Sequence, residues 1–271
     1  MRAGFPGIYT GERMNRTSID WVRRIGNDGQ ISIDNDLGYT WNPITGCLNN
    51  CKFPCYARRL ANTRLRDFYL EHRFVIAGKP EDPFAPRFWR NRLDKPQKIA
   101  KPSMVFVADM GDMWGSWVHE KTRTLIFNTI RKCPQHIFVF LTKCPQTYLL
   151  EEEKIPSNCW LGVSVCYRDH ASNVKLLQKV KRTDLVKFIS FEPLLEDVGG
   201  EVDFTGIDWV IIGAQTHPEV QPENRAVDWI VGQAGSYFIP MFMKDNLYWS
   251  VKPRKSYQLP FKYQDFPKPK K

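Results

Sequence analysis

Six apolar runs of four to six residues, set apart by longer amphipathic stretches, limit what this chain can fold into more than any other feature. They are Met104–Val107, His136–Leu141, Trp160–Val165, Val186–Phe191, Trp209–Gly213 and Ile239–Met243. Such near-continuous runs suit parallel strands buried on both faces, since a strand with one wet face would alternate apolar and polar residues. The stretches between them predict helices over Val118–Lys132, Asp169–Lys181 and Arg225–Ser236, with Asp169 as N-cap of the second. Gly38-Tyr39-Thr40-Trp41-Asn42-Pro43 adds a β-prone approach ended by Pro43, which brings the series to about seven strands. A parallel (β/α) barrel, partial or open, is the simplest architecture for this α/β chain. A doubly wound open sheet is the alternative, but the sequence has neither Gly-x-Gly-x-x-Gly nor Gly-Lys-Ser/Thr, the nucleotide fingerprints of that fold.

Around this core the chain divides into an N-terminal extension over 1–38, the barrel over 39–250, and a basic tail over 251–271. Residues 1–38 show no clear period, and Met14 stands as a second possible start of translation. Tyr56–Arg66 reads as a helix leaving a cysteine-rich loop. Residues 67–102, rich in Pro, Arg and aromatic side chains, read as a long connection with a short helix around Trp89–Leu93. It either lies along the barrel's flank or offers Arg87, Arg90 and Arg92 with their aromatic neighbours to stack on bases.

No run approaches the roughly 18 apolar residues of a membrane span. Arg2, Glu12, Arg13 and Arg16 interrupt what would be the apolar centre of a secretory signal. A soluble, cytoplasmic protein is therefore expected. The net charge of +10, with pI near 9.2, favours polyanionic partners and makes nucleic acid a candidate substrate.

Reading just past each apolar run collects one polar set, at the strand ends where α/β barrels keep their chemistry. It comprises Asp109, Gly111 and Asp112; Thr142 and Lys143; Ser164, Tyr167 and Arg168; Glu192 and Pro193; Gln215, Thr216 and His217; and Lys244, Asp245 and Asn246. Carboxylates and lysines are costly to bury unless paired, so six successive polar strand ends point to a shared polar pocket.

Three of the seven cysteines, Cys47, Cys51 and Cys55, fall within nine residues, among Asn, Lys, Pro and Gly. They cannot all be core positions of one helix or strand, and in a reducing compartment a metal site is the better reading. Cys133, Cys144, Cys159 and Cys166 lie singly beside or within apolar runs and read as packing. A closed zinc site needs four ligands, and no further Cys or His pair is near; His72 lies 17 residues beyond Cys55 in an Arg-rich context. An iron–sulfur cluster with one iron left open by the protein fits three thiolates better.

These residues resemble the radical S-adenosylmethionine (SAM) enzymes. More closely, they resemble a phage- and prokaryote-borne family of radical-SAM-like three-cysteine proteins. The strings that carry the likeness include Thr40-Trp41-Asn42-Pro43-Ile44-Thr45-Gly46-Cys47, Cys55-Tyr56-Ala57-Arg58, Ala108-Asp109-Met110-Gly111-Asp112, Phe140-Leu141-Thr142-Lys143, Ser190-Phe191-Glu192-Pro193-Leu194-Leu195 and Phe242-Met243-Lys244-Asp245-Asn246. The resemblance implies a 4Fe–4S cluster on Cys47, Cys51 and Cys55, with SAM on its open iron. It also implies reductive cleavage to a 5′-deoxyadenosyl radical and an external electron donor of flavodoxin or ferredoxin type. It places Asp109 and Asp112 near the methionine amino group, Ser164 and Glu192 near ribose or carboxylate, and the backbone at Tyr56 near adenine. Lys143, Glu192 and Lys244 would bind substrate or handle protons. The chain departs from the usual spacing by having three residues, Lys52-Phe53-Pro54, between its second and third cysteines. Two alternatives stand beside this reading: a metal-stabilised basic nucleic-acid-binding protein without SAM chemistry, and a metal-independent hydrolase using Asp109, Asp112 or Glu192 as acid and base.

Overall fold

The computed structural model describes residues 14–26, 28–32, 36–249 and 263–270. Residues 1–13 of the N-terminal extension and residues 251–262 of the tail lie outside the described residues. The strands are β1 (Asn15–Arg16), β2 (Tyr39–Trp41), β3 (Ile44–Thr45), β4 (Arg87–Phe88), β5 (Met104–Val107), β6 (Ile137–Thr142), β7 (Cys159–Ser164), β8 (Val186–Phe191), β9 (Trp209–Ile212), β10 (Gln215–Thr216), β11 (Glu219–Val220) and β12 (Met241–Met243). The α-helices are α1 (Tyr56–Asn62), α2 (Arg66–Glu71), α3 (Glu120–Arg131), α4 (Gln146–Glu151), α5 (Ala171–Gln178) and α6 (Asn224–Ser236).

Eight strands form one mixed sheet in the order β1-β2-β5-β6-β7-β8-β9-β12. β1 is antiparallel to β2, and the other seven run parallel. Each parallel strand is laid beside the one before it, with no reversal of order, so the winding is not that of a doubly wound sheet. The six apolar runs became six of these strands, with ends shifted by one or two residues.

The alternation of side chains along each strand divides the core in two. On one face Val105, Phe138, Phe140, Leu161, Ile189 and Ile212 pack against Ile126 and Phe127 of α3, Val174 and Leu177 of α5, and Val227 and Ile230 of α6. The opposite face carries Phe106, Val139, Trp160, Phe188, Trp209 and Phe242, and among the described residues no helix covers it. The segments around Trp21 and Phe266 cover it instead. Trp21, 1% exposed, sets its ring 4.9 Å from Phe106 and 6.0 Å from Trp209. Phe266 lies 5.4 Å from both Trp209 and Phe242.

Local chemistry explains where the helices differ from expectation. Asn62 donates its side-chain amide to Arg58 O, and the Thr63 hydroxyl donates to Arg59 O. Those bonds occupy the last-turn carbonyls and stop α1 short of Arg66; a second helix, α2, then begins inside the expected connection. Asp169 is not the N-cap of α5. It sits in a 3₁₀ turn over 168–170 that leaves His170 as the cap, and its carboxylate pairs with Lys52 at 3.1 Å. The short helix around Trp89 is a 3₁₀ turn over 90–92. Trp89 is buried, stacked on His72 at 4.1 Å and Phe68 at 5.1 Å, with the Arg92 guanidinium 3.9 Å from its ring centre. Its faces are taken up within the fold and do not offer a platform for bases.

Candidate functional site

The C-terminal ends of the parallel strands open onto a pocket of about 1230 Å³. Cys47, Cys51, Cys55, Tyr56, Asp109, Asp112, Lys143, Ser164, Glu192 and Lys244 all line it. Residues up to two hundred positions apart in sequence are brought together because parallel winding puts every strand's C-terminal end on the same rim.

The cysteine loop enters this rim through two glycines. Gly46 has φ +81°, and a Cβ there would lie 2.4 Å from Ala85 O and 2.5 Å from Phe84 O. A Cβ on Gly111 would lie 2.7 Å from Gly46 O. Only glycine permits both the backbone conformation and the approach. The gain is a direct join between the loops after β2 and β5, with Gly46 N–H donating to Met110 O at 2.8 Å. Cys55 caps α1, its carbonyl accepting from Arg59 N–H at 2.9 Å. All seven cysteines are free; the clustered three are partly exposed, whereas Cys133, Cys144, Cys159 and Cys166 are buried, as packing residues should be. Asn49 N–H donates to Cys47 Sγ at 3.3 Å. Among the described residues no three His, Cys, Asp or Glu side chains stand close enough to share a single metal ion. The donor set nevertheless suits an iron–sulfur cluster: three free thiols, partly exposed, opening on one cavity, with a backbone donor already aimed at one sulfur.

Asp112, 4% exposed, ties three loops together. Its Oδ1 accepts from Trp114 N–H at 3.0 Å and the Thr142 hydroxyl at 2.8 Å, and its Oδ2 from Lys143 N–H at 3.1 Å and Asn49 Nδ2 at 2.9 Å. Asn49 in turn accepts from Cys144 Sγ at 3.1 Å. With both oxygens engaged, Asp112 fixes the cysteine loop against the β5 and β6 ends.

Asp109 is less committed. Asn42 Nδ2, at 2.5 Å, is its one side-chain partner among the described residues, and the same Asn42 accepts from Met110 N–H at 3.0 Å. Burial lifts the Asp109 carboxyl from 3.8 to about 6, against the lowering effect of Asn42. A folded-state value above the unfolded one means that its favourable contribution is complete below 3.8 and is lost as pH rises through about 6. Asp109→Asn keeps an oxygen to accept from Asn42 and removes that loss. The variant should be more stable than the wild type by about 1–3 kcal/mol at about pH 8, with the gap closing towards pH 4. Urea midpoints at the two pH values check this, and a pH-independent difference would count against it.

Lys143 lies among Cys166, Cys51, Asp112 and Cys47. Burial alone would pull its ammonium down, but these neighbours outweigh burial and hold it above its ordinary value. Its Nζ is 5.6 Å from the Phe53 ring centre, and Phe53 packs 6.4 Å from Tyr167. The three residues between Cys51 and Cys55 thus reach across the pocket: Phe53 meets Lys143 and Tyr167, while Lys52 pairs with Asp169.

On the opposite wall Glu192 and Lys244 form an ion pair, and Asp20 Oδ1 stands 3.8 Å from the same ammonium. Burial works against the Lys244 charge, but Glu192 and Asp20 hold its pKa above the ordinary lysine value. Gly213 makes room for the pair, since a Cβ there would lie 2.8 Å from Lys244 Cδ and 3.3 Å from Glu192 Cγ. Ser164, 3% exposed, stands in register with Ser190 on the neighbouring strand, whose buried hydroxyl has no hydrogen-bond partner among the described residues.

Gln215, Thr216 and His217 also reach the pocket, whereas Tyr167, Arg168, Asp245 and Asn246 are not part of its lining. Arg168 turns outward to Asp197 O, and Asn246 bonds the backbone of Ala214. Sequence reading missed Asp20, Asn42 and Asn49. Asn42 lies inside the Thr40–Cys47 string that carries the resemblance, and Asn49 lies between Cys47 and Cys51, so both could have been found there. Asp20 gave no local signal, because its backbone partner Asp245 is 225 residues away.

Fold and site together define an α/β protein with a mostly parallel sheet and a cysteine-lined pocket at its strand ends. The chain belongs to the family described as "Protein of unknown function (DUF5131)", whose model matches residues 11–257. No curated relative matches the chain. Among solved structures it is similar to "Spore photoproduct lyase complexed with dinucleoside spore photoproduct", at 12% identity and a TM-score of 0.49. The match covers 84% of this chain and 65% of that one, so the chain spans less than two thirds of that structure's length. No helix among the described residues is long and apolar enough to cross a membrane.

Proposed function

We propose that the protein is a radical-SAM-type iron–sulfur enzyme built on an incomplete (β/α) barrel. The observation that carries this reading is that the three clustered cysteines open onto the same pocket as the acids and lysines of the strand ends. Cys47, Cys51 and Cys55 would hold the 4Fe–4S cluster through their thiolates. A cluster held there would supply the one-electron reduction of SAM, with the electron from an external flavodoxin- or ferredoxin-type donor, that splits it into methionine and a 5′-deoxyadenosyl radical.

The chain's own residues bind, orient and exclude water. Asp109, with spare acceptor capacity at the pocket wall, receives the methionine amino group. Asp112 acts as a positioning residue, because its oxygens already hold Asn49, Thr142 and the Lys143 backbone. Ser164 and Glu192 face the ribose or carboxylate, and the backbone at Tyr56 lies beside the adenine. Lys143 supplies fixed positive charge beside the thiolates. In the Glu192–Lys244 pair the proton stays at Nζ, so Lys244 presents a fixed charge and a hydrogen-bond donor to a substrate on that wall.

The test is anaerobic reconstitution with iron and sulfide, followed by reduction with SAM present. About four irons per chain, a brown chromophore and released 5′-deoxyadenosine are expected. One equivalent of zinc with no iron overturns the cluster, and a cluster without 5′-deoxyadenosine overturns the SAM chemistry.

A further inference from the structure

Charge is distributed unevenly around the pocket. Its lining holds three acids, Asp109, Asp112 and Glu192, all at strand ends, against seven lysines and arginines. Lys143 and Lys244 sit near those acids or the thiols. The remaining five, Arg16, Arg59, Arg64, Arg92 and Lys95, have no acid beside them in the lining.

Four of the five are concentrated between residues 59 and 95, and the local ion pairs show which carboxylates are taken up beside Arg59 and Lys95. On α1, Arg58 turns away to Asp82 at 3.5 Å, while the next residue, Arg59, lines the pocket. In the turn over 95–98, Asp94 is taken by Lys98 at 2.9 Å, while Lys95 lines the pocket. Among the described residues the side chains of Arg59, Arg64 and Lys95 have no carboxylate and no hydrogen-bond acceptor. Lys95 is partly buried, and burial followed by the like charge of Arg92 pulls its ammonium below the ordinary value. Cations held together at this cost suit an anion brought from outside. They lie on three elements: α1, the turn between α1 and α2, and the 3₁₀ turn after Arg92. That spread matches a repeating anion better than one phosphate group, which would be gathered at a single glycine-rich loop or helix end. Tyr56, 54% exposed, lies one turn before Arg59 on the same face of α1, so an aromatic face stands beside the cations.

We propose that this wall binds the sugar–phosphate backbone of single-stranded nucleic acid, with phosphates on Arg59, Arg64 and Lys95 and a base against Tyr56. The inference rests on the reading of the pocket as a substrate site, and it names the substrate class. A cavity of about 1230 Å³ accepts an extended or flipped-out stretch of strand, whereas a duplex is too wide to enter. The target base would then be directed inward, towards the strand ends.

Fluorescence anisotropy of the reconstituted full-length protein with labelled single-stranded DNA and RNA oligonucleotides, over a range of salt, tests the proposal. Arg59→Gln/Arg64→Gln/Lys95→Gln should weaken binding by roughly tenfold or more and flatten the log–log salt slope by about two, since each single-strand phosphate contact contributes about 0.7. Lys132→Gln/Lys181→Gln, at exposed positions by the ends of α3 and α5, should bind like the wild type. Equal binding by the triple variant, or an equal loss in the control pair, overturns the proposal. Full displacement of the oligonucleotide by an equal concentration of mononucleotide also overturns it, in favour of a free nucleotide. Cys51→Ala, measured in parallel, separates this inference from the cofactor reading. Retained, salt-dependent binding without 5′-deoxyadenosine formation in any variant would sink the SAM chemistry and leave the nucleic-acid wall standing.

Discussion

Cys51→Ala should leave a folded, colourless protein. The residue is partly exposed at the pocket and belongs to neither face of the sheet core, so its removal should shift the melting temperature by no more than about 2 °C. Two thiolates cannot replace three around a cluster with an open iron. Bound iron after reconstitution should therefore fall from about four per chain to a small residue, and 5′-deoxyadenosine should not form. Cys133→Ala is the matching control. That sulfur is fully buried in the α3-side core, so the variant should lose stability and keep the chromophore. Full colour in Cys51→Ala would remove the cluster assignment altogether.

The second large effect falls at Trp21. Truncating a fully buried tryptophan to alanine costs about 3–5 kcal/mol through lost burial and the cavity left behind. In a chain of this size that lowers the melting temperature by roughly 10 °C or more. Phe106, Phe188 and Trp209 would all lose a ring partner at once. Trp21→Phe should be far milder, because the buried Trp21 indole N–H has no partner among the described residues and its removal leaves no acceptor there unsatisfied. Thermal melts of both variants decide the matter. An alanine variant within about 2 °C of the wild type would mean that the N-terminal segment does not hold the inner face.

How far the sequence could be read follows from the range of the forces involved. Six of the seven parallel strands were legible because burial on both faces writes itself as an unbroken apolar run, as in Ile137–Thr142, and β2 was read from its β-prone residues before Pro43. The strand-end residues were legible for the same reason: once the runs are placed, Asp109, Lys143, Ser164, Glu192 and Lys244 follow by position. The six-residue helices α2 and α4 were not, since fewer than two turns give too little periodicity to stand out. Asp169 looked like a cap because Asp commonly caps helices, but Lys52, 117 residues earlier, competes for its carboxylate. The covering of the inner face could not be read at all. Trp21 has no amphipathic neighbours, and its partners lie on strands formed much later in the chain.

The order of synthesis is where that last feature matters. Trp21 leaves the ribosome before Phe188, Trp209 and Phe242 and must wait for them, and Phe266 follows all three. The ladders from β5 to β8 and their helices can assemble while later residues are still being translated, whereas the inner layer closes only once the segment carrying Phe266 is free. The pocket inherits this timing. Cys47, Cys51 and Cys55 emerge well before Glu192 and Lys244, so a half-made chain carries its clustered thiols before the rest of the pocket lining exists.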